Sequence, residues 1–254
     1  MSEDQFRVDN KIAIVTGAAS GIGKATVAVL CERGATVVAS DRDSATLEKV
    51  VQEFKAQGFN VSATVCDISD PDSVRNLVSS TKKTHGSVDI GVNCAGITGP
   101  LGKKAHEVDL ADFDLTLSIN LRGAFVFSQE LFKVMVPNKW GRIVHIASMA
   151  GKDGNPNMSP YNASKAGLIG IVKGMGKEYA ETGVTINAIA PAVIRTQMIA
   201  DQPDEVLKYT ISKIPMGRVG EPEEVANTIA YACSPACSFT TGFVFDSSGG
   251  RTVY

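Results

Sequence analysis

Three side chains with the chemistry of a proton-transfer site lie in one stretch of the chain. Ser148 carries a hydroxyl, Tyr161 a phenol and Lys165 an ammonium group. Tyr161 and Lys165 stand four residues apart, so on a helix they share one face. Ser159 as N-cap and Pro160 at the first helical position predict that such a helix begins here. The alternative is an ordinary, partly exposed Tyr–Lys pair, and the choice depends on whether the chain also supplies an electron acceptor.

The bulk composition limits the classes of partner. The 254 residues carry a net charge of −2, with 44% hydrophobic and 20% charged residues and no cluster of Lys and Arg. These values predict a globular protein that binds small molecules, and they give no electrostatic basis for binding nucleic acid or a membrane. The first residues lack a secretory signal, and no apolar run approaches the ~20 residues of a membrane span. We therefore expect a cytoplasmic protein.

Neither the cysteines nor the histidines form a metal-binding pattern. The five cysteines include no Cys-x-x-Cys pair, which suits a reducing compartment, and the three histidines are scattered. His145 lies inside an apolar run, where a hydrogen-bonded core histidine is expected. No metal site is predicted.

A glycine-rich turn near the amino terminus has the form of a phosphate-binding site. Lys11–Thr16 is an apolar run typical of a buried parallel strand, and a helix-forming segment runs from Ile22 to about Arg33. Between them, backbone N–H groups and the helix N-terminus would face a pyrophosphate. The residues of this candidate site are Gly17, Ser20, Gly21, Ile22 and Gly23. Their spacing is not the Gly-x-Gly-x-x-Gly fingerprint, so a merely tight strand-to-helix turn stays open.

An acidic residue follows the second predicted strand. Asp41 comes directly after Thr36–Ser40, about 20 residues beyond the glycine turn. Its carboxylate would accept hydrogen bonds from the adenosine ribose and would repel a 2′-phosphate. This predicts NAD as the cofactor. Arg42 is the competing observation, because a guanidinium at this position could pair with the phosphate of NADP.

Strands alternate with helical patterns along the whole chain. This order predicts an α/β fold: a single domain over residues 1–254, with a seven-stranded, doubly wound parallel sheet of Rossmann type and helices on both faces. The predicted strands are Lys11–Thr16, Thr36–Ser40, Asn60–Val65, Asp89–Asn93, Gly141–Ser148, Val184–Ala190 and Gly242–Asp246. Ligands of such a fold bind at the carboxyl ends of the strands.

Polar or small residues fall at two of those carboxyl ends. Asp67 and Ile68 follow the third strand and could hold the adenine edge, although Asp67 could equally be a helix cap or a turn residue. Asn93, Ala95 and Gly96 belong to the end of the fourth strand, where small residues would let the backbone approach the cofactor.

Asn120 stands inside a long helical pattern from about Val108 to Met135. Its apolar neighbours would bury it if the helical period holds. A buried amide must be hydrogen-bonded, so Asn120 is expected to hold either a local backbone distortion or a water.

The segments predicted to line the substrate position are polar. Residues 149–158 and 192–217 both follow strands that carry site residues, and the second is predicted to be a mobile cover. They contain Lys152, Asn155 and Arg195, which favour a polar or anionic substrate. Arg195 could pair with a carboxylate bidentately. The alternative is that Lys152 and Arg195 are structural charges, solvated or salt-bridged.

Taken together, these residues resemble the short-chain dehydrogenase/reductase family, in the branch with chains near this length. The resemblance covers essentially the whole chain and rests on Thr16-Gly17-x-x-x-Gly21-Ile22-Gly23, Asp67, Asn93-x-Ala95-Gly96, Asn120, Ser148, Tyr161-x-x-x-Lys165, and Pro191 with Thr196. One departure is Ala192, because family members usually have Gly after this proline. The change bears only on the local backbone conformation.

The resemblance implies a catalytic tetrad of Asn120, Ser148, Tyr161 and Lys165. Tyr161 would be the general acid/base in hydride transfer between a secondary alcohol or ketone and nicotinamide, and Ser148 would bind the substrate oxygen. Lowering the phenol pKa from near 10 by about 3 units requires ~4 kcal/mol, which Lys165 and the positive nicotinamide ring could supply. Asn120 would anchor a water that returns the proton through Lys165. The cofactor-binding set would also include Tyr161, Lys165, Pro191, Val193 and Thr196.

The resemblance also implies a homotetramer, or a homodimer. The helices that contain Asn120 and Tyr161 are the expected contact surfaces. Gly167, Gly170 and Gly174 would permit close packing there, unless they face the sheet instead.

Three functions stay open. The first is an NAD-dependent dehydrogenase of a polyol, a sugar or a sugar-derived acid. In its favour, Ala150–Asn157 and Ser238–Gly242 are similar to segments of family members such as 2-keto-3-deoxy sugar-acid dehydrogenases. The second is an NADPH-dependent reductase of 3-oxoacyl thioesters. The third is a cofactor-binding scaffold without turnover.

Overall fold

A parallel sheet forms the centre of the computed structural model, which describes residues 4–196, 204–252 and 254. The strands found in this part of the chain are β1 (Ile12–Thr16), β2 (Thr36–Asp41), β3 (Val61–Val65), β4 (Ile90–Asn93), β5 (Gly141–Ile146), β6 (Val184–Pro191) and β7 (Val244–Ser247). They lie in the order β3-β2-β1-β4-β5-β6-β7, and every neighbouring pair is parallel. The predicted doubly wound sheet is confirmed. Its strand order reverses between β1 and β4, the switch point where such folds bind ligands.

Helices cover both faces of the sheet. They are α1 (Gly21–Glu32), α2 (Ser44–Ala56), α3 (Pro71–His85), α4 (Leu110–Leu117), α5 (Ala124–Met135), α6 (Ala150–Asp153), α7 (Ser159–Glu178), α8 (Asp204–Ser212) and α9 (Pro222–Cys233). Successive strand side chains point to opposite faces, so Ala13 and Val15 enter one apolar core and Ile14 enters the other. Residues of α1, α2 and α9 complete the first core, and residues of α3, α5 and α7 complete the second.

The helix that carries Tyr161 begins one residue earlier than the sequence indicated. Its N-cap is Met158, which makes no side-chain capping bond, so the assignment of Ser159 as N-cap was wrong and Pro160 is the second helical residue. The start is fixed instead by Asn162, whose side chain accepts from Asn155 N at 3.1 Å and donates to Asn155 O at 2.7 Å. Pro160 is tolerated in the first turn because the N–H groups there have no intrahelical partner.

The long helical pattern around Asn120 is not one regular helix. A π-helical turn, Ser118–Gly123, separates α4 from α5. Asn120 is buried in this turn, with 1% of its surface exposed. The predicted backbone distortion at Asn120 is therefore confirmed, and the continuous helix is corrected to two helices joined by a π turn.

His145 is a core histidine, as its apolar surroundings indicated. Its ring is fully buried on β5, and Nε2 lies 2.7 Å from the hydroxyl of Ser128. Ser128 donates in turn to Ala124 O at 2.9 Å, so the hydroxyl accepts from the ring. Burial lowers the pKa of His145 to about 3, which keeps the ring neutral near pH 7.

The predicted cover, residues 192–217, falls partly on residues 197–203, which lie outside the described part of the chain. The described part contains a parallel bridge between Ile194 and Gly220, and α8 lies between these two residues in the sequence. Among the described helices, none has the length and apolar character required to cross a membrane. The described ranges also contain no group of three or more His, Cys, Asp or Glu arranged to hold a metal ion.

Candidate active site

Ser148, Tyr161 and Lys165 come together beyond the carboxyl end of β5. Lys165 is 5% exposed, and its Nζ donates to Ile146 O at 2.7 Å and lies 5.7 Å from the centre of the Tyr161 ring. The Ser148 hydroxyl accepts from Ala150 N at 3.1 Å and is close enough to Tyr161 to affect its titration. The helical spacing of Tyr161 and Lys165 thus places both side chains at the site that Ser148 borders.

Burial dominates the electrostatics of this group. It raises the pKa of Tyr161, and hydrogen bonding with Ser148 offsets only part of the rise. Burial also lowers the pKa of Lys165 to about 8. The lowering of the phenol pKa by Lys165 together with the positive nicotinamide ring stays a prediction.

The Asn120 amide ties the loop after β4 to the helix that bears Tyr161. Its Oδ1 accepts from Ile97 N at 2.9 Å, while Nδ2 donates to Ile97 O at 2.8 Å and to the Ser164 hydroxyl at 3.0 Å. A Cβ added to Gly96 would lie 3.1 Å from Asn120 Oδ1 and 3.5 Å from Lys165 Nζ. Asn120, Gly96 and Lys165 therefore border one space. Both N–H groups of the Asn120 amide are engaged within the chain, and the proton-returning water stays a prediction.

The glycine turn, residues 17–23, forms a cradle in which main-chain atoms pack closely against other main-chain atoms. Gly17 has φ 66°, and a Cβ there would lie 2.7 Å from Ala95 N. At Gly23 a Cβ would lie 2.0 Å from Gly17 O, and at Gly21, with φ 52°, it would lie 3.0 Å from Thr196 Cγ2. Side chains at these positions would collide with neighbouring atoms of the chain, so glycine is what allows the turn to pack tightly beside β1 and β4.

The N-terminus of α1 has free capacity for a phosphate. Ser20 is the N-cap with extended backbone, yet its side chain makes no capping bond, and the first turn contains no acidic residue. Ile22 lies within this turn. The N–H groups there lack intrahelical partners and carry the positive end of the helix dipole. Such a terminus is suited to hold a pyrophosphate.

Asp41 lies against the glycine turn. Its Oδ2 accepts from Ala19 N at 3.1 Å, and Oδ1 accepts from Asp43 N at 3.1 Å. Arg42, the competing cation, is exposed, and its charge contributes to lowering the pKa of Asp67. The carboxylate at the end of β2 is therefore held beside the turn, while Arg42 lies near another carboxylate.

The other predicted cofactor residues occupy the strand ends. Asp67 accepts from Ser69 N at 2.8 Å, so its carboxylate stabilises a turn, and the N-cap of α3 is Asp70. Ile68 is buried beside the π turn. Asn93 is buried at the end of β4, where its Oδ1 accepts from the Thr16 hydroxyl at 2.6 Å.

The end of β6 lies next to the segment that follows Ser148. Pro191 O accepts from Met149 N at 3.0 Å, which links β6 to the residue after Ser148. Val193 O accepts from Gly220 N at 3.0 Å. Ala192 is not among the described residues with positive φ, so the alanine that departs from the family pattern needs no left-handed backbone.

Each of the two cations expected to bind substrate has a carboxylate partner. Lys152 Nζ lies 3.0 Å from Asp246 and is 7% exposed, and Arg195 Nε lies 2.9 Å from Glu221 and is 63% exposed. These contacts match the alternative in which both are structural charges. Asn155, by contrast, lies near the sulfur atoms of Met149 and Met158, at 3.9 and 3.8 Å.

Two residues at the substrate side were missed by sequence reasoning. Arg251 donates from Nη2 to Asn155 Oδ1 at 3.1 Å, and Tyr254 donates from its hydroxyl to Lys152 O at 2.5 Å. No local motif or spacing connects them to the site. Only their polarity, just after the last strand, could have drawn attention to them.

The glycine turn, the free N-terminus of α1 and buried Lys165 fit a nicotinamide dinucleotide, which these groups would hold at the carboxyl ends of the strands. A doubly wound sheet with such a cleft at its switch point, bordered by Ser148, Tyr161 and Lys165, defines an NAD(P)-dependent oxidoreductase that acts on CH–OH groups.

Comparison with known proteins places this enzyme in a family. A family model described as enoyl-(acyl carrier protein) reductase matches residues 17–252. The chain is 40% identical to a 2-dehydro-3-deoxy-L-rhamnonate dehydrogenase (NAD(+)) of Sphingomonas sp. strain SKA58, with all of both chains covered. It is 37% identical to a 3-oxoacyl-[acyl-carrier-protein] reductase of Thermotoga maritima, over 98% of this chain and 100% of the relative. The crystal structure of gox2181 superposes with a TM-score of 0.95 at 38% identity, covering 98% of each chain. The chain belongs to the short-chain dehydrogenase/reductase family.

Proposed function

We propose that this protein is an NAD-dependent dehydrogenase that oxidises a secondary hydroxyl of a sugar-derived acid, and reduces the ketone in reverse. The observation that carries the proposal is the meeting of Ser148, Tyr161 and buried Lys165 at one end of a dinucleotide cleft whose other end is bordered by Asp41. Polyols and uncharged sugars are the neighbouring substrate classes that the same chemistry accepts.

The side chains have complementary roles in this reaction. NAD, when bound, supplies the hydride acceptor and a positive ring. The Ser148 hydroxyl donates to the substrate oxygen and holds it beside Tyr161. The Tyr161 phenolate accepts the hydroxyl proton as the C–H bond breaks, and Lys165 stabilises the phenolate and binds ribose hydroxyls. Asn120 holds together the loop and the helix on either side of this space. It also anchors a water next to Lys165, and this water returns the proton to solvent.

NAD is proposed over NADP because of the charge next to the glycine turn. The Asp41 carboxylate, already oriented by Ala19 N, has lone pairs left for two ribose hydroxyls. A 2′-phosphate at ~4 Å from this carboxylate would be repelled by up to about 4 kcal/mol near a protein surface. The exposed guanidinium of Arg42 reduces this penalty, because a 2′-phosphate could pair with it.

The acid substrate is proposed on two grounds. The relative with 40% identity is named for a 2-dehydro-3-deoxy sugar acid and for NAD. The segments predicted to line the substrate position also carry polar residues, among them Asn155, which is in contact with Arg251.

A reductase of 3-oxoacyl thioesters is the second candidate. It is favoured by the relative with 37% identity, which is named as such a reductase. The identities of 40% and 37% are too close to separate the two candidates.

The test measures initial rates with both cofactors on one panel of substrates. The panel contains sugar acids, including 2-dehydro-3-deoxy-L-rhamnonate, the corresponding uncharged polyols, and a 3-oxoacyl thioester in the reducing direction. We expect the highest kcat/KM for an acid with NAD. A higher value for the thioester with NADPH would refute the proposal in favour of the second candidate.

We also propose a homotetramer, with a homodimer as the alternative. A Cβ added to Gly170 or Gly174 meets nothing within 4 Å, so both glycines of α7 face outward and leave room for a second copy, whereas Gly167 packs against Leu121 of the same chain. Light scattering of the purified protein measures the assembly, and a monomer would contradict this proposal.

A further inference from the structure

The chain beyond β7 turns back to the substrate side of the site. The Asp246 carboxylate accepts from Ser248 N at 2.9 Å and from the Thr252 hydroxyl, and it pairs with Lys152 at 3.0 Å. Tyr254 donates to Lys152 O from the other side. Residues 248–252 and Tyr254 are therefore fixed beside the segment that lies between Ser148 and Tyr161.

Arg251 is the cation in these residues that keeps free hydrogen-bonding capacity. It is partly buried, and its Nη2 donates to Asn155 Oδ1 at 3.1 Å. Within the described ranges, no carboxylate lies at ion-pair distance from its guanidinium. Other cations on the surrounding segments do have carboxylate partners: Lys152 with Asp246, Arg195 with Glu221, and Arg218 with Glu224.

Asn155 connects Arg251 to the reacting groups. The main chain of Asn155 is held through both N and O by the side chain of Asn162, the residue after Tyr161. Its amide nitrogen lies 3.9 Å from the sulfur of Met149, the residue after Ser148. Asn155 therefore packs between residues adjacent to Ser148 and Tyr161, and Arg251 lies one contact farther out.

We propose that Arg251 binds the carboxylate of the substrate, with the Asn155 amide orienting the guanidinium. A guanidinium presents parallel N–H groups that match the two oxygens of a carboxylate, and partial burial strengthens such a pair. The remaining N–H groups of Arg251 are available because the bond to Asn155 uses only Nη2. This inference rests on the proposed oxidation of a sugar-derived acid and assigns the specificity of that site to a residue from the end of the chain.

The test replaces Arg251 and compares a charged with an uncharged ligand. The ligands are the acid with the highest rate in the panel and the alditol of the same chain length, measured by KM, or by Ki where a compound is not turned over. For Arg251→Gln we expect KM for the acid to rise about 10- to 100-fold, as for the loss of a charge-assisted pair, while the alditol changes less than about threefold. The kcat for the acid and the Kd for NAD stay near the wild-type values, because Arg251 does not contact the reacting atoms.

Arg251→Lys and Arg218→Gln complete the design. The lysine variant keeps the charge without the planar fork, so its KM for the acid should lie between the wild type and Arg251→Gln. Arg218→Gln makes the same chemical change at an exposed arginine paired with Glu224, and it should leave both ligands unaffected. Bound NAD and the circular dichroism spectrum establish that each variant is folded.

The outcomes separate this inference from the proposed function. An unchanged KM for the acid in Arg251→Gln, or a rise shared equally with the alditol, overturns the role of Arg251 and leaves acid oxidation standing. A rise in Arg195→Gln instead would assign the carboxylate to Arg195. If the wild-type enzyme oxidises no acid, the proposed substrate class and the role of Arg251 fall together.

Discussion

The proposed cofactor side and the proposed substrate side of the site are built by different means. The cofactor side consists of the turn 17–23, Asp41 and residues 93–96, and its shape comes from close backbone approaches such as that of Gly23 to Gly17 O. The substrate side consists of residues 149–158, 192–196, 248–252 and Tyr254. Its shape comes from side-chain bonds between distant segments, including Lys152 with Asp246 and Arg251 with Asn155.

This difference indicates which side of the site can acquire a new specificity through few substitutions. The glycine turn tolerates few substitutions because a Cβ added at Gly17 or Gly23 meets main-chain atoms that cannot move away. Side-chain pairs can be exchanged one at a time while the sheet stays intact. A fold that keeps its cofactor side and varies its substrate side can therefore serve many substrates with one reaction.

The largest expected effect comes from removing the group at the junction of the two sides. Tyr161→Phe keeps the ring and loses the hydroxyl, so kcat should fall about 10³-fold while the Kd for NAD is unchanged. Tyr179→Phe is the matched control, because Tyr179 lies at the end of the same helix and stacks on Phe132 away from the site. Steady-state kinetics with the preferred substrate and NAD titration measure both. Wild-type turnover in Tyr161→Phe would contradict the role of Tyr161 as the general acid/base.

The next largest effect tests the backbone cradle. In Gly23→Ala the new Cβ would lie 2.0 Å from Gly17 O, so the turn must open, and NAD affinity should fall about 10- to 100-fold. Gly174→Ala, on the outward face of α7, should leave the Kd for NAD unchanged. Fluorescence titration of both variants gives the comparison. Equal affinities would show that the cradle is more adaptable than its close contacts indicate.

A smaller change is expected from the charge beside the cradle. Asp41→Asn removes the carboxylate and retains an acceptor for Ala19 N, so the ratio of kcat/KM for NAD to that for NADP should fall about tenfold. Asp43→Asn is the control, because asparagine caps α2 as well as aspartate does. If Asp41→Asn leaves the ratio of kcat/KM for NAD to that for NADP unchanged, the choice of cofactor depends on Arg42 or another residue.

The smallest effect is expected on the substrate side. Asp246→Asn weakens the bonds to Lys152, Ser248 and Thr252, which loosens the end of the chain. KM for the substrate should rise about threefold, the equivalent of one weakened hydrogen bond, with NAD affinity unchanged. Asp72→Asn, which breaks only an exposed pair with Arg75, is the control. A loss of NAD binding in Asp246→Asn would contradict the independence of the two sides.

Much of the cofactor side could be predicted because its signals are local. The glycine spacing, the carboxylate after β2 and the four-residue interval from Tyr161 to Lys165 are short-range patterns whose geometry follows from strand, turn and helix. The parallel sheet then brings strand ends together without further information. The prediction of Ser159 as N-cap was wrong because its signal was local. The start of the helix depends on the bonds between Asn162 and Asn155, which lie in different segments and follow no periodic pattern.

By itself, then, the sequence determined the parallel sheet and the strand end at which Ser148, Tyr161 and Lys165 come together. Only the tertiary structure decided which charges are free to meet a ligand. Lys152 pairs with Asp246, which is 94 residues away in the sequence, and Arg251 bonds to Asn155, which is 96 residues away. Such pairings depend on how segments after different strands pack at one edge of the sheet, and no local spacing encodes them. Arg195 and Lys152 accordingly looked like anion-binding residues, whereas the folded chain pairs both and leaves Arg251 without a carboxylate among the described residues.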